Sequence, residues 1–310
     1  MKTNHFIYHP AVSAAINSGL PVVALETAVL THGLPYPANV QLAADMEEVV
    51  QTTGALPATI GLLSGEVHVG FTTTEIEQLG DPHIPARKIS RRDFGIAQAK
   101  KENGGTTVAG TMVVAHQAGI RVFATGGIGG VHRNAPFDVS ADLHELAVRP
   151  LVVVCAGAKS ILDLPATLEV LETQGVPVIG YQTDEFPAFF SRESGLPVTA
   201  RVDSPSEIAQ IAHNQWNMGL DTAVLVVNAP PAESALPASQ VEAMIEFAVE
   251  EAHQKGIRGA AVTPYLLQRV NELSSGDSMR ANLALLKNNA QLAALIAIEI
   301  SRFHPANRSI

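Results

Sequence analysis

The chain has 310 residues, 46% hydrophobic and 16% charged, enough to bury a large core and too apolar for a disordered chain. Its 30 acidic residues against 20 basic ones leave a net charge of −10, which repels a polyanion and argues against nucleic acid as a partner. A single cysteine, Cys155, excludes an intrachain disulfide and, set in an apolar run, reads as a small buried hydrophobe in a reducing compartment.

Val22 to Leu25 opens the pattern as a buried strand, and Ala38 to Thr52 follows as an amphipathic helix. Thr59 to Leu63 and Glu66 to Val69 flank Ser64-Gly65, the pattern of a hairpin that adds an antiparallel piece at one side. A helix over Thr111 to Ala118 precedes a strand at Val122 to Ala124. Leu151 to Cys155 is the next strand, followed by a helix over Ile161 to Gln174 and a strand at Val178 to Tyr181. The rest alternates in the same way: helix Pro205 to Met218, strand Ala223 to Val227, a Pro/Ala-rich loop from Asn228 to Pro237, and helices over Ser239 to Lys255 and Arg280 to Ser301. Apolar runs separated by helical periods are the rhythm of right-handed βαβ crossovers, so the expected class is α/β, with one domain over residues 1–310. Met1 to Gly19 lacks a basic segment leading into an apolar stretch, and no apolar run reaches bilayer-spanning length. A cytoplasmic protein without membrane contact is therefore expected.

Polar groups stand beside several expected strand ends, and in a parallel sheet such ends converge on one edge where ligands bind. Glu26 directly follows its strand; a carboxyl beside an apolar strand suits a general acid, or it caps a backbone or pairs with a base. His32, in Thr31-His32-Gly33-Leu34-Pro35, either binds a substrate or closes a loop. Arg87-Lys88-Ile89-Ser90-Arg91-Arg92 is long enough to hold one phosphate, and is otherwise a solvated loop. Gly104 to Thr111 leads into a helix and Gly126 to Gly130 follows a strand; each is an anion cradle or an ordinary turn, and neither matches a nucleotide fingerprint. Asp138-Val139-Ser140-Ala141-Asp142 offers hard oxygen donors for Mg²⁺ or Mn²⁺, yet Ser140 with Glu145 also reads as a helix start. Lys159 emerges after Leu151 to Cys155 and Ala156-Gly157-Ala158, as a nucleophile at the sheet edge or as a stem covering that edge with its ammonium in solvent.

Taken together, Ala24 to Pro35, Arg87-Lys88, Thr106 to Ala109, Gly126 to Arg133, Phe137 to Leu143 and Cys155 to Ser160 closely resemble the pseudouridine-5′-phosphate glycosidase family, also called indigoidine synthase A-like. Arg280 to Leu283 and Lys287-Asn288-Asn289 extend the resemblance into the last helix. The resemblance implies a three-layer α/β/α fold around a mainly parallel mixed sheet, a homotrimer, Mn²⁺, and cleavage of pseudouridine 5′-phosphate to uracil and ribose 5-phosphate. It implies Lys159 as the covalent lysine and Glu26 as the proton donor. Lys88, the Val108 amide, Ser140, Ala141 and Asp142 match substrate-binding positions, Asp138 matches the metal position, and Thr125, His132 and Asn282 match polar positions around the site. Asn134-Ala135-Pro136 makes a shorter connection to the metal side than some relatives are expected to have. Another lysine-dependent sugar-phosphate lyase, or a nucleotide-binding protein without catalysis, are the competing readings.

Overall fold

The five apolar runs expected as strands lie side by side and parallel. The computed structural model describes residues 6–133, 135–257 and 262–303. In chain order the strands are β1 (Phe6–Tyr8), β2 (Val22–Leu25), β3 (Leu56–Leu63), β4 (Glu66–Val69), β5 (Ala86–Ile89), β6 (Asn103–Thr106), β7 (Val122–Ala124), β8 (Val131–His132), β9 (Ala135–Val139), β10 (Val152–Cys155), β11 (Leu162–Asp163), β12 (Val178–Tyr181), β13 (Ala200–Val202) and β14 (Val224–Asn228). The main sheet runs β1-β4-β3-β2-β7-β10-β14-β12-β13, with β6 joined to β3 and β5 to β6. From β3 through β2, β7, β10, β14 and β12 to β13 the pairs are all parallel, whereas β3 pairs antiparallel with β4 and with β6. The antiparallel piece is the expected hairpin, with Leu63 opposite Glu66 and Ser64-Gly65 both at positive φ.

Helices cover both faces, so the central strands are buried on both sides and carry no polar alternation. The long helix Asp277–Phe303 lies on β2, β7 and β10 between helices Ala38–Thr53 and Pro205–Asn217, and helix Val108–Ala118 packs on β2, β3, β4 and β6. This is a three-layer α/β/α arrangement. Asp277–Phe303 is long and apolar enough by composition to cross a bilayer, contrary to the expectation from sequence. More than half of its most apolar stretch is buried within the protein, so here it is a core helix.

The starts of helices Val108–Ala118 and Leu164–Thr173 differ from expectation for local reasons. Helix Val108–Ala118 starts three residues early because Thr107 caps it, its hydroxyl accepting from Gly110 N at 3.2 Å. Helix Leu164–Thr173 starts three residues late: Leu162–Asp163 pairs with β8, and Asp163 accepts from Ala166 N at 3.0 Å with Pro165 in the first turn. Asn134 of the shortened connection lies outside the described residues.

Candidate active site

β2, β7 and β10 are neighbours, and their register sets Leu25 and Val154 on either side of Ala124. The residues that follow these strands therefore share one edge. Glu26 and Thr125 come first, and the Thr125 hydroxyl donates to Glu26 Oε1. After β10 the chain passes through Gly157, at φ +87°, where an added Cβ would sit 2.1 Å from the Pro187 carbonyl oxygen. Lys159 follows, its N–H donating to Ile128 O at 3.1 Å while its own carbonyl accepts from Leu162 N at 2.9 Å. Lys159 thus opens a tight turn and is half-buried.

Glu26, Lys88, Asp142 and Lys159 lie within electrostatic reach of one another. Burial pushes the Glu26 carboxyl above the usual carboxylate range, against the opposing pull of Lys159 and the Thr125 hydroxyl. Lys88 is exposed, yet the surrounding protein still strips enough water to lower its ammonium pKa, and the Lys159 charge lowers it further. A carboxyl biased toward its protonated form beside two amines is a pairing suited to proton donation and nucleophilic attack.

Asp142 is the splint of the site. One oxygen accepts from Ala109 N at 2.8 Å and the other from Gly129 N at 2.7 Å. It ties the first turn of helix Val108–Ala118, with the Val108 amide at its head, to the loop after β7. Gly129 must be glycine for this, since a Cβ there would lie 2.3 Å from Ser140 Oγ and 2.8 Å from Asp142 Oδ2. Ser140 caps helix Ala141–Val148, accepting from Asp142 N at 3.2 Å, which is the helix-start reading of that segment. Ala141 is exposed in the first turn.

The basic stretch separates into roles. Arg87 pairs with Glu102 and Asp93, and Arg91 pairs with the fully buried Glu145, which also holds Arg149. Lys88, alternating to the other face of β5, is the member directed to Glu26 and Lys159. Gly104 and Gly105 belong to β6 and form no anion loop; a Cβ on Gly105 would meet Thr31 Oγ1 at 2.1 Å. Thr31 sits in a five-residue π-helical turn, Val29–Gly33, which carries His32 beside Lys88. Burial and the Lys88 charge both lower the His32 pKa.

His132 is half-buried on β8, paired with Leu162 beside the Lys159 turn. Arg133 grips the same turn, donating to Ser160 O at 3.0 Å and Leu162 O at 3.1 Å while it pairs with Glu242. The Ser160 hydroxyl is buried without a partner. Asn282 is half-buried on the long helix, two turns before the fully buried Asn289, whose Nδ2 donates to the Thr125 carbonyl at 2.9 Å. Asn289 belongs to a block that carries the resemblance but has no role legible in sequence, and Asn228, an amide at a strand end, has no spacing signature; only the fold brings Asn289 to Thr125 and Asn228 to Asn289. Asp138, on β9, is exposed. Among the described residues no three His, Cys, Asp or Glu side chains group as a metal cage. A lone exposed carboxylate fits a hard cation that keeps most of its water, and does not fit a soft or fully caged metal. Cys155 is fully buried, with its thiol pushed up to about 12 by burial, and is not a nucleophile.

A parallel sheet with Glu26 and Lys159 following its central strands, and Lys88 within electrostatic reach of both, defines an α/β enzyme acting on a small molecule. The chain belongs to the indigoidine synthase A-like family, whose model, described as indigoidine synthase A like protein, matches residues 11–299. It is 52% identical over 297 residues to the pseudouridine-5′-phosphate glycosidase of Geobacillus kaustophilus, covering 95% of this chain and 98% of that one. The protein of that name from Herpetosiphon aurantiacus is also 52% identical, over 95% of this chain and 97% of the relative. The crystal structure of an indigoidine synthase A-like protein from Thermotoga maritima superposes with a TM-score of 0.89 at 37% identity, covering 97% of this chain and 99% of the other. The prealnumycin C-glycosynthase AlnA, solved with ribulose 5-phosphate, gives 0.89 at 38% identity over the same shares.

Proposed function

We propose that this chain cleaves the carbon–carbon glycosidic bond of pseudouridine 5′-phosphate, reversibly, to uracil and ribose 5-phosphate through a covalent adduct on Lys159, in pseudouridine catabolism. The observation that carries the reading is the convergence of Glu26 after β2, Lys159 after β10 and Lys88 from β5 within electrostatic reach of one another. The near full-length identity of about half to proteins named for this activity supports it.

The leaving carbon of uracil has no lone pair to protonate, so a two-carboxylate scheme has no purchase. Protonated Glu26 instead gives its proton to the ribose ring oxygen as uracil's electrons break the C1′–O bond, leaving an unsaturated C1′. The free amine of Lys159 adds to C1′ and loses a proton. Protonation of uracil C5 then breaks the C1′–C5 bond, releases uracil and leaves a Lys159–C1′ iminium. Water adds to the iminium, and its collapse releases ribose 5-phosphate and the amine. Lys88 and the Val108 amide, at a helix N-terminus, hold the phosphate-bearing sugar in register, with Ser140, Ala141, Asp142, Thr125, His132 and Asn282 lining the site. Asp138 would hold the hydrated Mn²⁺, which when bound would supply positive charge and ordered water.

A homotrimer in the cytoplasm is the assembly and location in keeping with the family resemblance; Phe137 and Val139, exposed beside Asp138, are apolar surface available to a subunit contact. Light scattering of the purified chain reads the subunit number. For the reaction, pseudouridine 5′-phosphate and Mn²⁺ are incubated with the protein, uracil is followed by absorbance, and sodium borohydride is added during turnover. Uracil release with a pentose phosphate on Lys159 by mass spectrometry is expected. An aldolase-type lyase releases no uracil, and full activity in Lys159→Ala without an adduct ends the covalent scheme.

A further inference from the structure

The Thr125 hydroxyl that meets Glu26 is itself held from behind. Its residue follows the last position of β7, with the N–H donating to Val154 O at 3.0 Å and the carbonyl accepting from Asn289 Nδ2 at 2.9 Å. Asn289 Oδ1 in turn accepts from Asn228 Nδ2 at 3.2 Å. Asn289 is 0% exposed and Asn228, the last residue of β14, is 7% exposed. Around Asn289 the helix buries Leu285, Leu286, Ala290, Leu292 and Ala293, a face on which an apolar side chain is the expected occupant. A buried amide there is tolerated only because both of its ends are satisfied, and satisfied networks of this kind fix one geometry.

We propose that Asn289, locked by Asn228, is a positioning residue for the cleavage reaction: it holds the Thr125 backbone so that the hydroxyl meets Glu26 Oε1 and aims the carboxyl at the substrate. The inference rests on Glu26 as the proton donor. Thr125's hydrogen bond favours the ionised carboxyl and opposes the burial that raises it. Loss of the hold therefore leaves Glu26 with a higher affinity for its proton. A role confined to satisfying a carbonyl predicts lower stability alone.

The test compares Asn289→Ala, Asn228→Ala, Thr125→Val and Thr125→Val/Asn289→Ala in the full chain. The readouts are kcat, KM, and the Glu26 titration from the carboxyl infrared band, assigned by its loss in Glu26→Gln. Asn289→Ala is expected to lower kcat on the order of tenfold with KM changed less than about twofold. Its Glu26 band is expected to titrate at higher pH, as in Thr125→Val, with no further displacement in the double variant. A parental titration and kcat in Asn289→Ala, or additive effects in the double variant, overturn the proposal. Should Asn289→Ala fail to fold, Asn228→Ala takes its place: a lowered kcat with a raised Glu26 titration is expected, and parental values overturn the proposal. If Glu26→Gln turns over normally, the acid assignment falls and the proposal with it; if Glu26→Gln is inactive while the asparagine variants behave as the parent, only the proposal falls.

Discussion

Replacing Asp142 by Asn tests the splint at the centre of the site. Asp142 is 6% exposed, and each of its oxygens accepts one backbone N–H, from Ala109 and Gly129. Asparagine keeps one acceptor and turns an NH₂ group toward the other amide. The variant loses one charge-assisted hydrogen bond, worth about 1.5–3 kcal/mol, and leaves a buried donor unpaired at about 1–3 kcal/mol, so a loss near 3–5 kcal/mol is expected. For 310 residues each kcal/mol corresponds to about 1.5 °C in Tm, giving a fall of about 5–8 °C by calorimetry. The Asp142 charge is also one of the influences that raise Glu26, so in Asp142→Asn the Glu26 carboxyl titrates at lower pH. A variant with the parental Tm would show that the two amides do not depend on this carboxylate, and the splint would have to be abandoned.

Glu26→Gln is expected to lower kcat by about 10²–10⁴-fold, the usual worth of a positioned acid. Because burial raises the folded Glu26 pKa, the stability tied to its proton is full below the unfolded carboxylate value of about 4.3 and is lost as pH rises through the raised value. The Tm of Glu26→Gln minus that of the parent therefore grows as pH rises, and a difference flat with pH contradicts the burial argument. Removing metal with EDTA should lower turnover and added Mn²⁺ restore it. Asp138→Asn should need more Mn²⁺ while its Tm stays within about 1 °C, as for other exposed substitutions; equal Mn²⁺ dependence in both proteins counts against Asp138 as the ligand. Cys155 should alkylate only as the chain unfolds, and rapid labelling of the native protein would contradict its burial.

Val22–Leu25, Val122–Ala124 and Val178–Tyr181 are legible to the residue from sequence, because strands buried on both faces must be apolar without interruption and the chain turns where that run stops. The long blocks around Glu26, Lys88, Asp142 and Lys159 likewise point to the chemistry, since a reacting carboxyl or amine beside a strand end is a local pattern. Boundaries set by a single cap, as at Thr107 and Asp163, and the two-residue strands β8 and β11 carry too few residues for a period to emerge. Tertiary structure alone decided which partner each polar group has. Asp142 spends both oxygens on backbone amides, Arg87 and Arg91 turn away to acidic partners while Lys88 lies within reach of Glu26 and Lys159, and Asn289 reaches Thr125 across 164 positions of sequence. Periodicity reports whether a side chain faces water or the core, whereas hydrogen bonds and charge pairs depend on distances of a few ångströms between segments that only folding brings together.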